Sequence, residues 1–460
     1  MLDFILQILQ TPAIILGLIA MIGLLLQKKN FGTVFSGTVK TAVGMLIVSA
    51  GSGLIVSEVT PFSTVFSKVF HLNGFATSSE AVVGALQANV TQIAATSALI
   101  MGIGFLVNLL IAKFTPLKYI FLTGHMMWIL SIVISCGFIM SGYSNNLTIV
   151  FGSLMQGMIT SILPSIAQPT VKRVTKNNMF AMGHLTTLGT VSAGYIGGLL
   201  GNKNNDAENV KLPSYLNFFK DTAISVSIVM GFFYLILFIA AGPSSVKNLT
   251  DGTNYIVFAI LKALGFTAGI LVLLQGIRLF LGEIIPAFKG ISDKVVPGAL
   301  PALDVPVLFG FAPNALMIGF LSGIVGMLIG MLVSGLVFGV VPLISIIGSF
   351  FTGGVAGIFG NARGGIRGAT VAGIFYGFML IFSSALFTTL INLTSYGVKG
   401  VGYDCTDAVV VGLLLKTPMI GLLVTIVVFI LMWVIESKRA KKDKIKSNIK
   451  NESNIETSMN

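Results

Sequence analysis

Charge is what this sequence has least of. Only 10% of its 460 residues are Asp, Glu, Lys or Arg, where a soluble domain carries roughly 25%. A water-facing surface cannot be built from so few, which excludes a soluble enzyme or a nucleic-acid-binding module. Cysteine is nearly absent. Cys136 and Cys405 stand far apart and form no CxxC pair, which excludes a disulfide framework and a CxxC redox or zinc site. There are three histidines, His71, His125 and His184, and no HExxH. No metal site, cofactor site or nucleophile–base array is read, so no covalent chemistry is expected of this chain. The glycine-rich, basic stretch "GNARGGIRG" (360–368) lacks the GxxxxGK[ST] spacing of a nucleotide loop.

What is present is apolar. Hydrophobic residues make up 55% of the chain and the mean hydropathy is +0.95. A membrane-spanning helix needs about 20 mostly apolar residues. Such runs lie near 9–27, 37–57, 90–112, 119–140, 147–167, 222–242, 255–282, 314–340, 369–393 and 409–435. The class is an all-α polytopic membrane protein of about 10–11 transmembrane helices. The first run lacks a basic n-region and a small-residue cleavage site, so it is expected to stay as the first helix rather than be removed as a signal. The stretches 178–201, 295–312 and 342–368 are apolar but interrupted by Gly and Pro. Irregular backbone at membrane depth survives only where it is buried in protein or lines a cavity. A substrate site is therefore expected in these re-entrant or broken segments. Residues 1–435 read as one integral-membrane transporter domain.

Basic residues set the orientation. Lys28, Lys29 and Lys40 flank the first connection, Lys113 and Lys118 the third, and Lys172, Arg173 and Lys176 follow the fifth span. The intervening connections are nearly free of them, which puts the N-terminus outside and the C-terminus in the cytoplasm. The polar loop 202–221 then faces the cytoplasm as a docking surface. Seven of the 28 Lys and Arg residues lie in 436–460, read as a disordered basic cytoplasmic tail attracted to anionic membrane lipid. Nucleic acid is not an expected partner.

A weak internal repeat runs through the chain. At one constant offset, Gly51, Leu54, Glu58 and Pro61 meet Gly276, Leu279, Glu283 and Pro286. With a slip of a single position, Gly74 then meets Gly298 and Glu80 meets Asp304. Chance similarity in Gly-rich apolar sequence is the alternative. The copies, about 31–145 and 255–370, would run in opposite directions. Transporters of that inverted-topology build bind substrate near the midplane, at broken helices.

Several polar residues fall in this apolar setting. His125 and His184 each follow glycine. A polar or ionisable side chain in a span costs a few kcal/mol unless paired or facing water, so each is either an interhelical structural histidine or a site residue. Asp304, flanked by Pro301 and Pro306, reads as an acceptor for sugar hydroxyls. Glu80, in "TSSEA", reads equally as a site residue or as a favourable acid in a first helical turn. Glu58, Arg278 and Glu283 are expected to pair with one another as structural buried charges. Gly319, Gly323, Gly326 and Gly330 give the small-xxx-small spacing of helix packing.

With these residues the chain resembles the membrane (IIC) component of the L-ascorbate-type bacterial phosphotransferase systems. The matching pieces include "KTAVGMLIVSAGSGLI" (40–55), "LTGHMM" (122–127), "MGH" (182–184), "QGIRLFLGEIIPAFKGIS" (275–292), "VPGALPALD" (296–304) and "FAPNA" (311–315). The resemblance implies a homodimeric transporter in the bacterial cytoplasmic membrane. A cytoplasmic IIB protein with a phosphocysteine would phosphorylate the polyhydroxy substrate as it arrives. It also implies ligand-binding roles for His125, His184 and Asp304. Three positions depart from the family pattern. Ile129 replaces an amide, Leu185 replaces a glutamine, and Ser79-Glu80 replaces Thr-Tyr. Two donors for an anionic enediol are lost and a carboxylate is gained, which points toward a neutral polyol or sugar beside ascorbate. The competing class is an ion-coupled secondary transporter using Glu58, Arg278 and Glu283 as its relay.

Overall fold

A computed structural model describes residues 11–69, 75, 79–209, 222–396, 398 and 400–459. The expected apolar runs appear as helices: α1 (Pro12–Leu26), α2 (Phe31–Val69), α3 (Ser79–Asn89), α4 (Thr91–Phe114), α5 (Gly124–Met140), α6 (Asn145–Thr175), α7 (Thr187–Leu200), α8 (Thr222–Ala241), α9 (Pro243–Thr250), α10 (Tyr255–Lys294), α11 (Pro313–Phe338), α12 (Ile346–Leu390), α13 (Thr406–Leu414) and α14 (Pro418–Met459). Their starts are written in the sequence. Proline opens α1, α9, α11 and α14, where its fixed φ suits the first helical turn and its missing N–H costs nothing. Ser144 and Asn254 cap α6 and α10 by accepting from the Leu147 and Ile256 N–H groups.

Among the described residues, seven helices are long and apolar enough to cross a membrane, or eight if α8 and α9, bent by 117°, form one broken span. This is fewer than the 10–11 expected. Part of the difference is length, for Leu16–Leu26, Gly124–Met140 and Thr187–Leu200 are apolar but short. At 1.5 Å per residue, 17 residues reach about 25 Å, less than the roughly 30 Å hydrocarbon core. The outward faces are oily, with Leu336 89% and Leu199 84% exposed. Patches of that kind are covered by lipid or partner in stable proteins. The architecture is that of an all-α multi-pass membrane protein.

Helices α2 and α10 pack together through glycines. A Cβ on Gly51 would lie 2.4 Å from the Leu273 nitrogen, and one on Gly276 would lie 2.5 Å from the Val48 nitrogen. Gly44 abuts Phe280 in the same way, and Gly269 abuts Ile55. Moving each residue by the offset of the repeat turns the first contact of each pair into the second. The ion pairs follow the same rule approximately, with Glu58–Lys262 at 3.0 Å and Glu283–Lys40 at 3.3 Å. These lysines, rather than Arg278, partner the two acids. Arg278 lies on an exposed face of α10. Helical spacing explains the difference, since Arg278 and Glu283 are five residues apart and do not share a face.

Two of the expected broken segments, 178–201 and 295–312, and the start of the expected span 119–140 contain something the sequence reading did not foresee. Three short strands, β1 (Tyr119–Phe121), β2 (Ala181–Met182) and β3 (Leu300–Leu303), form a parallel sheet in the order β1-β3-β2. Tyr119 pairs with Leu300, and Ala181 with Ala302. Bonds from Leu122 N–H to Ala302 O (2.9 Å) and Gly183 N–H to Leu303 O (2.7 Å) extend it. An isolated parallel bridge joins Phe75 to Pro342. Gly74, the repeat partner of Gly298, and His71 lie outside the described residues.

Helix α12 breaks at Gly364–Gly365, where Gly365 has φ +61°. Residues 202–209 seal the break through Asn202 N–H to Gly364 O and Ile366 N–H to Asn205 O, both 2.8 Å. Asn361 donates to Asp206 (2.7 Å) and accepts from the Ala207 N–H (2.9 Å). Arg363 stacks on Tyr195 at 3.6 Å and donates to Thr170 at 2.7 Å. Helix α14 is held by Glu436, which accepts from Ser165 (2.7 Å), Tyr119 (3.3 Å) and Arg439 (2.5 Å). The helix continues through the basic stretch to Met459, and its side chains are described to residue 442.

Candidate functional site

Parallel strands present their C-terminal ends at one edge of a sheet. Here that edge carries His125, three residues past Leu122, Asp304, directly after β3, and His184, two residues after β2. The strand order β1-β3-β2 places Asp304 between the two histidines. Its carboxylate is split between them, with Oδ2 3.7 Å from His125 Nε2 and Oδ1 3.7 Å from His184 Nε2. The imidazoles lie edge to face with centroids 6.3 Å apart.

Local chemistry fixes each group. Asp304 caps the 3₁₀ turn Val305–Phe311 by accepting from the Val305 N–H at 2.7 Å. His125 stands in the first turn of α5. Gly183, ahead of His184, is required by space, for a Cβ there would lie 2.8 Å from Ala302 O. The Gly-His pairing thus has a structural cause at His184, where the histidine follows a strand pressed against β3. The His184 side chain is 5% exposed, against 40% for His125 and 25% for Asp304. Its Nδ1 is buried and has no protein partner among the described residues.

The three residues line one cavity of about 330 Å³, together with Met45, Val48, Ser49 and Val56 of α2 and with Thr352, Asp404 and Cys405. A second cavity of about 230 Å³ lies between His125, Gln87 and Trp128, the latter two joined by a 3.0 Å bond from Trp128 Nε1 to Gln87 Oε1. Small-molecule sites run from roughly 300 to 1,000 Å³. Among the described residues, no Lys or Arg lines either cavity. The arrangement can hold vicinal hydroxyls, with carboxylate oxygens accepting and imidazoles donating or accepting. Its ligand atoms also lie within 4.8 Å of one another, and two imidazoles with one carboxylate are a donor set that zinc accepts.

The other expected site positions fall elsewhere. Ile129 and Leu185 are fully buried in the apolar cluster with Phe121 and Met126, and neither lines these cavities. Ser79 is buried and bonds to Asp404. Glu80 belongs to α3, but its side chain lies outside the described residues. Glu58 and Glu283 sit in the α2–α10 ion pairs and line neither cavity. Sequence reasoning missed Asp404. The signal was available in "VGYDCTD" (401–407), a glycine followed at short distance by an acid in an apolar setting.

A family model described as "PTS system sugar-specific permease component" matches residues 7–407. The chain is also similar to the ascorbate-specific PTS system EIIC component of Mycoplasma pneumoniae, at 29% identity over 441 residues. That alignment covers 83% of this chain and 66% of the relative, so the chain spans just under two thirds of the relative's length.

Proposed function

This chain belongs to the family of PTS system sugar-specific permease components, and from that premise we propose that it is a IIC subunit carrying L-ascorbate or a related polyhydroxy compound across the bacterial cytoplasmic membrane. A separate phosphorylated IIB protein takes the substrate as it arrives and phosphorylates it, so trapping rather than an ion gradient drives uptake. The observation that carries this reading is the sheet edge itself. His125, Asp304 and His184, drawn from three distant segments, converge on one cavity of about 330 Å³. The acids that a proton relay was expected to use, Glu58 and Glu283, are paired to lysines and do not line this cavity.

The inverted repeat belongs to the same proposal. It is supported by the contacts that exchange at the constant offset and by the two parallel pairings. Phe75 and Leu300 are related by that same offset, and each pairs with a strand position of the other copy. The N-terminus is placed outside and the C-terminus in the cytoplasm by the basic loops. The sealed loop 202–209 is then on the side from which IIB docks. A homodimer, with lipid over the remaining apolar faces, completes the reading.

The test is uptake of radiolabelled L-ascorbate and of five- and six-carbon alditols into vesicles holding the full chain. Accumulation of a phosphorylated product only when phosphorylated IIB is supplied is the expected result. Accumulation that ignores IIB and collapses with an uncoupler would replace this reading with an ion-coupled transporter.

A further inference from the structure

The cavity has a second acidic pole. Asp404 lines it together with His125, His184 and Asp304, yet it comes from a different part of the chain, two residues before α13. Its position is fixed by reciprocal bonds with Ser79. Asp404 Oδ1 accepts from the Ser79 hydroxyl at 2.5 Å and from the Ser79 N–H at 3.2 Å, and the Asp404 N–H donates to the Ser79 hydroxyl at 3.1 Å. An ionised carboxyl offers about four acceptor sites in all. Held by Ser79, and with the Cys405 thiol 3.7 Å from the same Oδ1, Asp404 is at the same time a lining residue of the cavity.

The placement of this pair is ordered. Ser79 follows the bridge residue Phe75 by four positions, as Asp304 follows the strand residue Leu300 by four. Asp404 follows His184 at nearly the offset of the repeat, and α13 comes after it as α7 comes after His184. Counted from Phe75 and Leu300, without the slip, Ser79 and Asp404 are thus spaced along the chain much as Asp304 and His184 are. Asp404 lines one cavity with Asp304 and His184.

We propose that Asp404, oriented by Ser79, is a second substrate-contacting group. Together with Asp304 it selects a polyhydroxy ligand with a neutral hydroxyl at that end over an anionic one. This rests on the reading of His125, Asp304 and His184 as the substrate site. Two carboxylates, with no Lys or Arg among the described lining residues, repel an anion held between them. The same carboxylates form charge-assisted bonds with neutral hydroxyls.

Equilibrium binding to the purified full chain tests the proposal, with L-ascorbate and four- to six-carbon alditols as probes. Wild type is expected to bind at least one alditol more tightly than ascorbate. Asp404→Asn is expected to weaken that alditol by about tenfold or more, as for loss of a hydrogen bond to a charged group, and to weaken ascorbate less or strengthen it. Ser79→Ala keeps the carboxylate but loosens it, and should move both ligands the same way by less. Wild type preferring ascorbate to every alditol overturns the proposal. So does Asp404→Asn with both ligands within about twofold of wild type while Asp304→Asn abolishes binding. If Asp304→Asn and His184→Ala leave binding intact, the substrate-site reading itself has failed.

Discussion

Replacing Gly183 by alanine perturbs the site without touching any group that would contact substrate. The added Cβ would lie 2.8 Å from Ala302 O, 3.0 Å from Ala302 C and 3.1 Å from Ala302 Cβ. Ordinary contact begins near 3.4 Å, so strand and neighbour must part by about 0.6 Å. Ala302 cannot yield freely, because β3 is bonded on both sides, to β1 through Phe121 and to β2 through Ala181. The displacement therefore falls on β2 and on His184, whose Nε2 stands 3.7 Å from Asp304. Overpacking of this kind costs about 1–3 kcal/mol of stability. A misplacement approaching 1 Å in a positioned site can cost on the order of 10²-fold, so a loss of tenfold or more in affinity for the bound polyhydroxy probe is expected. Equilibrium binding and thermal unfolding of the solubilised full chain separate the two effects. Gly53→Ala is the control, since a Cβ there meets nothing within 4 Å, and it should leave affinity unchanged. A folded Gly183→Ala protein with wild-type affinity would refute the claim that the sheet sets the geometry of the histidine and aspartate.

Three further outcomes follow from the packing. Glu58→Gln should destabilise by about 1–3 kcal/mol through the stranded Lys262, and the charge swap Glu58→Lys with Lys262→Glu should recover part of it. The more exposed Glu283–Lys40 pair should show about 0–1 kcal/mol, both read by unfolding in the same detergent. Gly365→Ala should loosen residues 202–209, because a Cβ would meet Asn205 O at 2.3 Å at a backbone φ of +61°; limited proteolysis should cut there faster than in wild type. Glu208, in the loop outside the spans, has its pKa raised by burial, against the pull of the Ala315 and Asn314 N–H groups. Just above the ordinary value of 4.5 the folded state then holds more proton than the unfolded one, so stability falls as pH rises through that window. Glu208→Gln should flatten this part of the melting-temperature profile, and an unchanged slope would count against the assignment.

The class of the protein was legible because so few charges leave only one environment for so many apolar residues. His125, His184 and Asp304 were legible because each is polar in an apolar setting, and their convergence is what the fold adds. The sheet was not legible. Strands this short and apolar have no period that distinguishes them from helix, and their partners lie in distant parts of the chain, as Ala181–Ala302 and Tyr119–Leu300 show. Asp404 was hidden for a related reason, since the run 409–435 drew attention to the helix and away from the turn before it. Ile129 and Leu185 were drawn in by their nearness to the histidines along the chain. Next to a strand end, successive side chains point to opposite sides, and Leu185 turns into the apolar cluster while His184 faces the cavity.

The sheet also explains how His125, Asp304 and His184 come to stand at the ends of extended segments rather than in helix interiors. Within a bilayer every backbone N–H and C=O must find a protein partner or water. A single broken segment would leave its extended residues unsatisfied, at several kcal/mol per group. Three extended segments solve the problem for one another, because β3 gives one edge to β1 and the other to β2. The polar side chains at the strand ends are then fixed as a set, with Asp304 bracketed by the histidines. Separating these three residues would break the backbone bonds that join their strands. Met45, Val48, Ser49 and Val56, which also line the cavity, belong to α2 and share no strand with the sheet.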